Sequence, residues 1–439
     1  MSARQENVKW VDGLRGIGSL LVVTTHIARA FDEDLFKPTS EENASPRIFQ
    51  YPILRIIIQG RIGVAIFSLV TGYVCALKPI RQCHAGTPEA ALVSIAKSAS
   101  RRVPRLILPT TLATTIIWLL CQFGVFQVAN RTDRWWLRDT SPNMIPYFGN
   151  ALHSLVMDTI TTWTRSWNAY DVNQWTLQPL LKGSMMVYMM IAATVFVKPK
   201  YRMMIAIALY FYYYISTDSA FGMQFFFGVF LSDISQNPTH IAWCQARKWP
   251  ARVLAPVLIS IGLILASYPE EKAEWMHWSL ALKNLGAYIF PVNGEVPRFY
   301  TGLGLEFIAL GIHFSSIMKN VLSNKYLLWF GKNSFAVYLI HGTLLRTLLV
   351  WMFFGTSLPP NVTREDGSVV GGPPLTICGS VRFFTLLPIW FVILYTTAHY
   401  WTKYVDPWCA RITERGMRYI YEDHQESGSV ESKRPALPK

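Results

Sequence analysis

The chain has 439 residues, of which 51% are hydrophobic and 15% are charged, whereas typical soluble domains carry about 25% charged residues. With many long apolar runs, this composition predicts an all-α, polytopic bundle of membrane helices. The net charge of +14 does not indicate nucleic-acid binding, because the basic residues lie between the apolar runs, as membrane topology requires. The six cysteines form no CxxC pair, so no metal site is predicted.

The first predicted span, residues 12–31, carries Arg15 near its start and His26 in its second half, with Asp12 as its N-cap. The eleven-residue spacing brings both side chains to one helix face, about 16 Å apart along the axis. An ionisable pair in a membrane helix is costly unless it faces protein or a water-filled cavity. One interpretation is a tunnel with a cationic mouth and an imidazole at depth. The other is an interfacial arginine and a hydrogen-bonded core histidine.

Further apolar runs predict nine more spans, which makes ten in all. We expect them at about 53–77, 106–127, 181–197, 203–216, 221–232, 253–267, 302–318, 326–354 and 382–402. A re-entrant or interfacial helix is expected at 145–160. The predicted membrane domain is therefore 1–402, followed by a polar, disordered cytosolic tail at 403–439.

Ten spans place both termini on one side of the membrane, and the basic segments decide which side. With the N-terminus in the cytosol, the basic segments 78–105, 198–202 and 246–252 are also cytosolic. Three N-glycosylation sequons then fall on the opposite side, where they can accept glycans, at Asn43, Asn130 and Asn361. The same topology places His341, in the ninth span, at a depth similar to that of His26.

Five stretches, in order from residue 12 to about 345, resemble the acyltransferase-3 family of membrane proteins, and fungal members most closely. They are DGLRGIGSLLVVTTH with Arg15 and His26, GRIGVAIFSLVTGYV, RRVPRLILP with Arg102 and Arg105, NQWTL followed by GSMMVY, and FGKNSFAVYLIHG with His341. The family's Trp-Thr-Leu segment normally leads within three residues to a glutamate. Leu180 stands there in this chain, so a relocated acid or an inactive relative is an open alternative.

The resemblance implies transfer of an acyl group, often acetyl, from acyl-CoA to a hydroxyl of a carbohydrate, lipid or secondary metabolite. Acyl-CoA is the donor substrate, and no permanently bound cofactor is expected. His26 is the expected general base, because imidazole accepts protons near neutral pH, and His341 is expected to assist it. The alternative for His341 is a buried histidine with satisfied hydrogen bonds.

The resemblance also assigns a role to the arginines near the cytosolic face. Arg15, Arg102 and Arg105 are expected to bind the donor phosphates, since guanidinium groups pair well with phosphate. They are equally well explained as charges that orient the helices. A transporter in which His26, Glu306 and His341 relay protons is a further alternative, although the chain shows no internal repeat. The expected location is an endomembrane or the plasma membrane, and the sequence does not indicate an oligomeric state.

Overall fold

A computed structural model describes residues 3–363, 369–370 and 372–421. Over these ranges the protein is a helical bundle with one antiparallel pair of two-residue strands. The helices are α1 Ala3–Phe31, α2 Gly60–His84, α3 Pro88–Gln122, α4 Trp135–Thr140, α5 Phe148–Thr164, α6 Leu177–Ala193, α7 Pro199–Ile215, α8 Gly222–Ile234, α9 Pro238–Ala246, α10 Ala255–Ala266, α11 His277–Ile289, α12 Val296–Phe314, α13 Ser316–Leu322, α14 Lys325–Leu344, α15 Val350–Phe354, α16 Ser380–Tyr400 and α17 Asp406–Tyr421. The strands are β1 Val362–Thr363 and β2 Val369–Val370.

Within the described ranges, four helical stretches are long and apolar enough to cross a membrane. They are α2, α3, the continuous α14–α15 helix and the continuous α16–α17 helix, with mean hydropathies of 1.5 to 1.6. The number rises to six if two bent pairs are each one span: α9 with α10, bent by 84°, and α12 with α13, bent by 107°. The predicted count of ten is not confirmed. Helices α6, α7 and α8 have only 17, 17 and 13 residues, whereas a span needs about 20.

Large apolar side chains cover much of the outer surface of the bundle. Examples are Met204 and Phe211 on α7, Val257 on α10, and Phe384 and Val392 on α16, all of which are exposed. A soluble monomer rarely exposes apolar faces of this extent. These faces and the long apolar helices are those of a membrane protein.

Helix α1 begins earlier than expected and lies at the centre of the bundle. The helix starts at Ala3, so Asp12 lies inside it, and the predicted N-cap is wrong. Trp10 and Val11 are 2% and 1% exposed, which shows that the segment before Asp12 is already packed in the core. Burial of these residues explains why the helix extends through a polar N-terminal sequence.

Glycines set the distance between α1 and α14. A Cβ atom on Gly331 of α14 would lie 1.9 Å from the backbone oxygen of Asp12, and one on Gly16 of α1 would lie 2.6 Å from that of Leu327. Any side chain at these positions would force the helices apart. The absence of side chains therefore allows the close packing that brings the second half of α1 against α14.

The chain does not become irregular at residue 403. Helix α16 continues through a π-helical segment, Trp401–Val405, into α17, which ends at Tyr421. The predicted boundary at 402 therefore falls within a helix, and the disorder predicted for 403–421 is wrong. Cys409 and Thr413 of α17 are buried and the helix packs against α3, so tertiary contacts stabilise a segment whose polar composition suggested disorder. Residues 422–439 lie outside the described residues.

Candidate active site

Two histidines from different helices meet in the core. Nδ1 of His26 on α1 lies 3.1 Å from Nε2 of His341 on α14, and the ring centroids are 5.0 Å apart. His341 is fully buried, whereas His26 keeps partial exposure. Thus two histidines 315 positions apart in sequence form one hydrogen-bonded pair.

The hydrogen bonds around His341 determine which nitrogen of His26 is basic. Nδ1 of His341 lies 3.0 Å from the carbonyl oxygen of Val337 and 2.9 Å from that of Tyr338. Carbonyl oxygens only accept, so this nitrogen carries a proton, and Nε2 of a neutral His341 is an acceptor. It accepts the Nδ1–H of His26. The remaining nitrogen of His26, Nε2, is then unprotonated and can accept a proton from a substrate.

Tyr338 lies one helical turn before His341 and connects α14 to the segment that precedes α6. Its hydroxyl is 2.8 Å from Oγ1 of Thr176 and also donates to the carbonyl oxygen of Asn173. The Tyr338 and His341 rings have centroids 6.2 Å apart. Thr176, in the Trp-Thr-Leu segment, therefore helps to hold the helix that carries His341.

The three predicted arginines line one cavity of about 270 Å³, here called the arginine cavity. Its lining includes Arg15, Thr71, Arg102, Arg105, Leu180 and Tyr338. Arg15 is 3.5 Å from the carboxylate of Asp12, and Arg102 lies 3.5 Å from Oγ1 of Thr71. The cavity thus collects guanidinium groups from α1 and α3 at the N-terminal end of α1.

His26 is not among the residues that line the arginine cavity. Tyr338 does line it, and the tyrosine ring lies 6.2 Å from the His341 ring between centroids. The hydrogen bonds of Tyr338 with Thr176 and Asn173 hold the ring at this position, between residues of the cavity lining and the histidine pair.

A second cavity of about 240 Å³ lies at the opposite end of α1, and we call it the aromatic–acidic cavity. It is lined by four carboxylates, two arginines and two tryptophans: Asp32, Glu33, Asp34, Asp133, Arg29, Arg134, Trp135 and Trp136. The Trp136 ring is 5.6 Å from the His26 ring between centroids. The histidine pair therefore has a lining residue of each cavity beside it, Tyr338 of the arginine cavity and Trp136 of the aromatic–acidic cavity.

Sequence reasoning missed a buried ion pair beside the histidines. Arg346 and Asp171 are both fully buried, with Nη2 of Arg346 3.1 Å from Oδ1 of Asp171. The Asp171 carboxylate lies next to Gly342, the residue after His341. Burial raises the pKa of Asp171, which lies in a loop outside the long apolar helices, and the Arg346 guanidinium opposes that rise. Arg346 was visible as a charge inside an apolar run, a signal that a buried partner must exist.

Comparison with known proteins identifies the family of the chain. A family model described as an acyltransferase domain, Acyl_transf_3, matches residues 8–404. The chain belongs to the acyltransferase-3 family. It is 23% identical over 370 residues to the O-acetyltransferase PaAT-1 of Phomopsis amygdali, covering 78% of this chain and 73% of that protein.

Two other fungal proteins in the comparison are also acyltransferases. Acyltransferase R4 of a Phoma species is 23% identical over 386 residues, and acyltransferase clz18 of Cochliobolus lunatus is 21% identical over 388 residues. Each alignment covers 76% of this chain and 81% of the relative. No solved structure matches the chain. Membership of the acyltransferase-3 family makes this protein an acyltransferase enzyme.

This acyltransferase-3 protein departs from the expected family pattern at Leu180, and the structure shows where that departure lies. Leu180 lines the arginine cavity, so an apolar side chain stands where the resemblance expects a glutamate. Glu306, considered as a replacement, accepts hydrogen bonds from Tyr210 and Gln224, each at 2.8 Å, rather than from either histidine. The Asp171 carboxylate, by contrast, lies next to Gly342, the residue that follows His341.

The three sequons of this family member differ in their surroundings. Asn43 is exposed and has a left-handed backbone, with φ of 66°. Asn361 is exposed and its Oδ1 accepts from Arg131 at 3.1 Å. Nδ2 of Asn130 is used instead in a 2.9 Å hydrogen bond to Oδ1 of Asn143. Asn43 and Asn361 are thus exposed, whereas the Asn130 amide is partly buried and hydrogen-bonded.

Proposed function

We propose that this enzyme transfers an acyl group, acetyl in the first instance, from acyl-CoA to a hydroxyl group, with His26 as general base. The observation that carries the proposal is the hydrogen bond from His26 to His341, because it leaves Nε2 of His26 unprotonated. An acceptor hydroxyl is a poor nucleophile until a base takes its proton, and a positioned histidine typically accelerates such steps by about 10² to 10⁴.

In the proposed reaction, Nε2 of His26 takes the proton of the acceptor hydroxyl as its oxygen attacks the thioester carbonyl. The tetrahedral intermediate then expels the CoA thiolate, which receives the same proton from His26. While His26 is cationic, its Nδ1–H donates to Nε2 of His341 and shares the charge with that ring. His341 is thus a positioning residue, held by the carbonyl oxygens of its own helix.

We assign the donor to the arginine cavity. Three guanidinium groups there match the phosphates of CoA, which arrives from the cytosol. Both termini are proposed to be cytosolic, in the ten-span topology, because the basic segments then face the cytosol. Two contacts support this topology, because they bring the loops that carry the sequons together near the aromatic–acidic cavity. Arg131 donates a hydrogen bond to Asn361, and Trp135 donates one to Glu33.

We assign the acceptor to the aromatic–acidic cavity, on the other side of the histidine pair. Its carboxylates can accept hydrogen bonds from hydroxyl groups, and its tryptophans can cover an apolar ring face. Donor and acceptor would then reach His26 from opposite sides of an endomembrane or the plasma membrane. The class of acceptor is a hydroxyl-bearing carbohydrate, lipid or secondary metabolite.

The test uses purified protein, isotopically labelled acetyl-CoA and a panel of sugars, sterols and terpenoid alcohols. The wild type and a His153→Ala variant, whose histidine is exposed on α5, are expected to label the same acceptor at the same rate. His26→Ala is expected to lose about 10² or more of that rate. Unchanged turnover in His26→Ala would refute the proposed base.

Leu180 supports one alternative, an inactive family member that binds the donor without transferring its acyl group. Such a protein would bind acetyl-CoA but label no acceptor in the same panel. A proton-coupled transporter needs Glu306 close to the histidines, and the contacts of Glu306 with Tyr210 and Gln224 argue against it. Solute uptake into liposomes without acyl-CoA would support the transporter instead.

A further inference from the structure

The C-terminal helix α17 reaches the mouth of the arginine cavity through one carboxylate. Glu414 of α17 lies 3.0 Å from Nη2 of Arg101 and 2.9 Å from Nη2 of Arg105, both on α3. A second contact, 3.0 Å between the hydroxyls of Ser100 and Tyr421, holds the end of α17 on the same helix. Glu414 therefore bridges two guanidinium groups across a helix–helix contact.

These two arginines connect the bridge to the cavity. Arg105 lines the arginine cavity, and Arg101, four residues earlier, lies on the same face of α3. The side chains of Arg101, Arg105 and Glu414 are 39%, 52% and 35% exposed, so all three are accessible to a ligand from solvent. Arg101 thus extends the positive charge of the cavity outward, and Glu414 offsets part of it.

We propose that Arg101 and Arg105 bind the ribose 3′-phosphate of the acyl-CoA donor and that Glu414 competes with this phosphate for the two guanidinium groups. This inference rests on the proposed donor in the arginine cavity. The arginine cavity, of about 270 Å³, is proposed to receive the pantetheine arm and the pyrophosphate, which leaves the ribose 3′-phosphate of the donor at its mouth. The C-terminal helix then sets donor affinity without touching the reacting atoms.

The exchange is reasonable in energy because the two kinds of contact differ. An ion pair between half-exposed side chains contributes little, because solvent screens the charges, so it is readily displaced. A phosphate monoester carries up to two charges and pairs with guanidinium groups through charge-assisted hydrogen bonds. The carboxylate stays nearby after displacement and repels the phosphate, so its removal is expected to strengthen donor binding.

The test measures the dissociation constants of CoA and of dephospho-CoA, which lacks only the 3′-phosphate, by calorimetry on the full-length protein. Glu414→Gln is expected to bind CoA about threefold to fivefold more tightly, as loss of one like charge near the surface predicts, with little change for dephospho-CoA. Arg101→Gln is expected to weaken CoA binding and to reduce the difference between the two ligands. Glu89→Gln, the same change in the first turn of α3, serves as the matched control.

The outcomes separate this inference from the proposed donor. A wild-type protein that binds neither CoA nor dephospho-CoA would overturn both. If the wild type binds CoA but Glu414→Gln binds it equally or less tightly, the competition by Glu414 is wrong and the donor assignment stands. Circular dichroism of each variant shows whether helix content is kept, and Arg101→Gln tests the phosphate subsite even if Glu414→Gln folds poorly.

Discussion

The two cavities beside the histidine pair have similar volumes, about 270 and 240 Å³, and opposite chemistry. The lining of the arginine cavity holds three guanidinium groups and no carboxylate, whereas the aromatic–acidic cavity has four carboxylates against two arginines. A polyphosphate suits the first and is repelled by the second. Under the proposed function, the two substrates would be sorted by charge before they meet at His26.

The buried ion pair of Arg346 and Asp171 lies beside the histidines, and we expect its loss to have the largest effect on stability. Asp171→Ala leaves the Arg346 charge without its partner in the core, so we expect the free energy of unfolding to fall by about 3 to 5 kcal/mol. Asp139→Ala, which breaks an exposed pair with Arg138, is the control and is expected to change stability by less than about 1 kcal/mol. Equal thermal stability of the two variants would contradict the structural role of Asp171.

Tyr338 closes the inner end of the arginine cavity, and its hydroxyl can be removed alone. Tyr338→Phe leaves the buried Asn173 carbonyl oxygen without its donor and the Thr176 hydroxyl without its acceptor, so a loss of about 1 to 3 kcal/mol in stability is expected, together with a lower kcat. Tyr404→Phe removes a hydroxyl from a side chain with 57% exposure and should change neither. A Tyr338→Phe variant with wild-type stability would show that these hydrogen bonds do not hold α14 in place.

Substitutions at the two ends of the site should separate the substrates kinetically. Arg102→Gln is expected to raise the KM for acetyl-CoA about tenfold, because one charged hydrogen bond to phosphate is lost, and to leave the acceptor KM unchanged. Asp133→Asn is expected to raise the KM of the acceptor labelled in the panel and not that of acetyl-CoA. If both variants change the same KM, donor and acceptor do not occupy separate cavities.

Loss of a glycan is the smallest effect that we expect. The glycosylated sequons would also identify the side of the membrane on which the aromatic–acidic cavity lies. Asn43→Gln is expected to remove a glycan detected by mass spectrometry, since Asn43 is exposed. Asn130→Gln and Asn361→Gln test the other two sequons in the same way. Absence of a glycan from all three would contradict the proposal that this end faces away from the cytosol.

Much of the site could be predicted from the sequence, because spacing within one helix fixes depth. Arg15 and His26 followed from one span, and His341 followed from a similar depth in another span. The sequence could not show that Tyr338 lines the arginine cavity beside the His341 ring. That position depends on hydrogen bonds to Asn173 and Thr176, which lie about 160 residues away in sequence.

The remaining features arise from pairs of segments that no local pattern connects. Trp136 lies in a short helix within a long loop, and only the fold places it against His26. The polar composition of α17 suggested a disordered tail, because the contacts with α3 that stabilise this helix cannot be read from its own sequence. The position of Glu414 is likewise explained only by its ion pairs with Arg101 and Arg105. Asp171, nine residues upstream of Leu180, needed the buried Arg346 to explain its position.

We propose that donor binding and proton transfer belong to different parts of the molecule. One preparation of His26→Ala tests this when both the CoA dissociation constant and the rate of labelled acetyl transfer are measured on it. We expect a dissociation constant within about twofold of the wild type and a transfer rate lowered by about 10² or more. A variant that still transfers acetyl at the wild-type rate, or that keeps its fold but loses CoA binding as fully as it loses transfer, would contradict this division of roles.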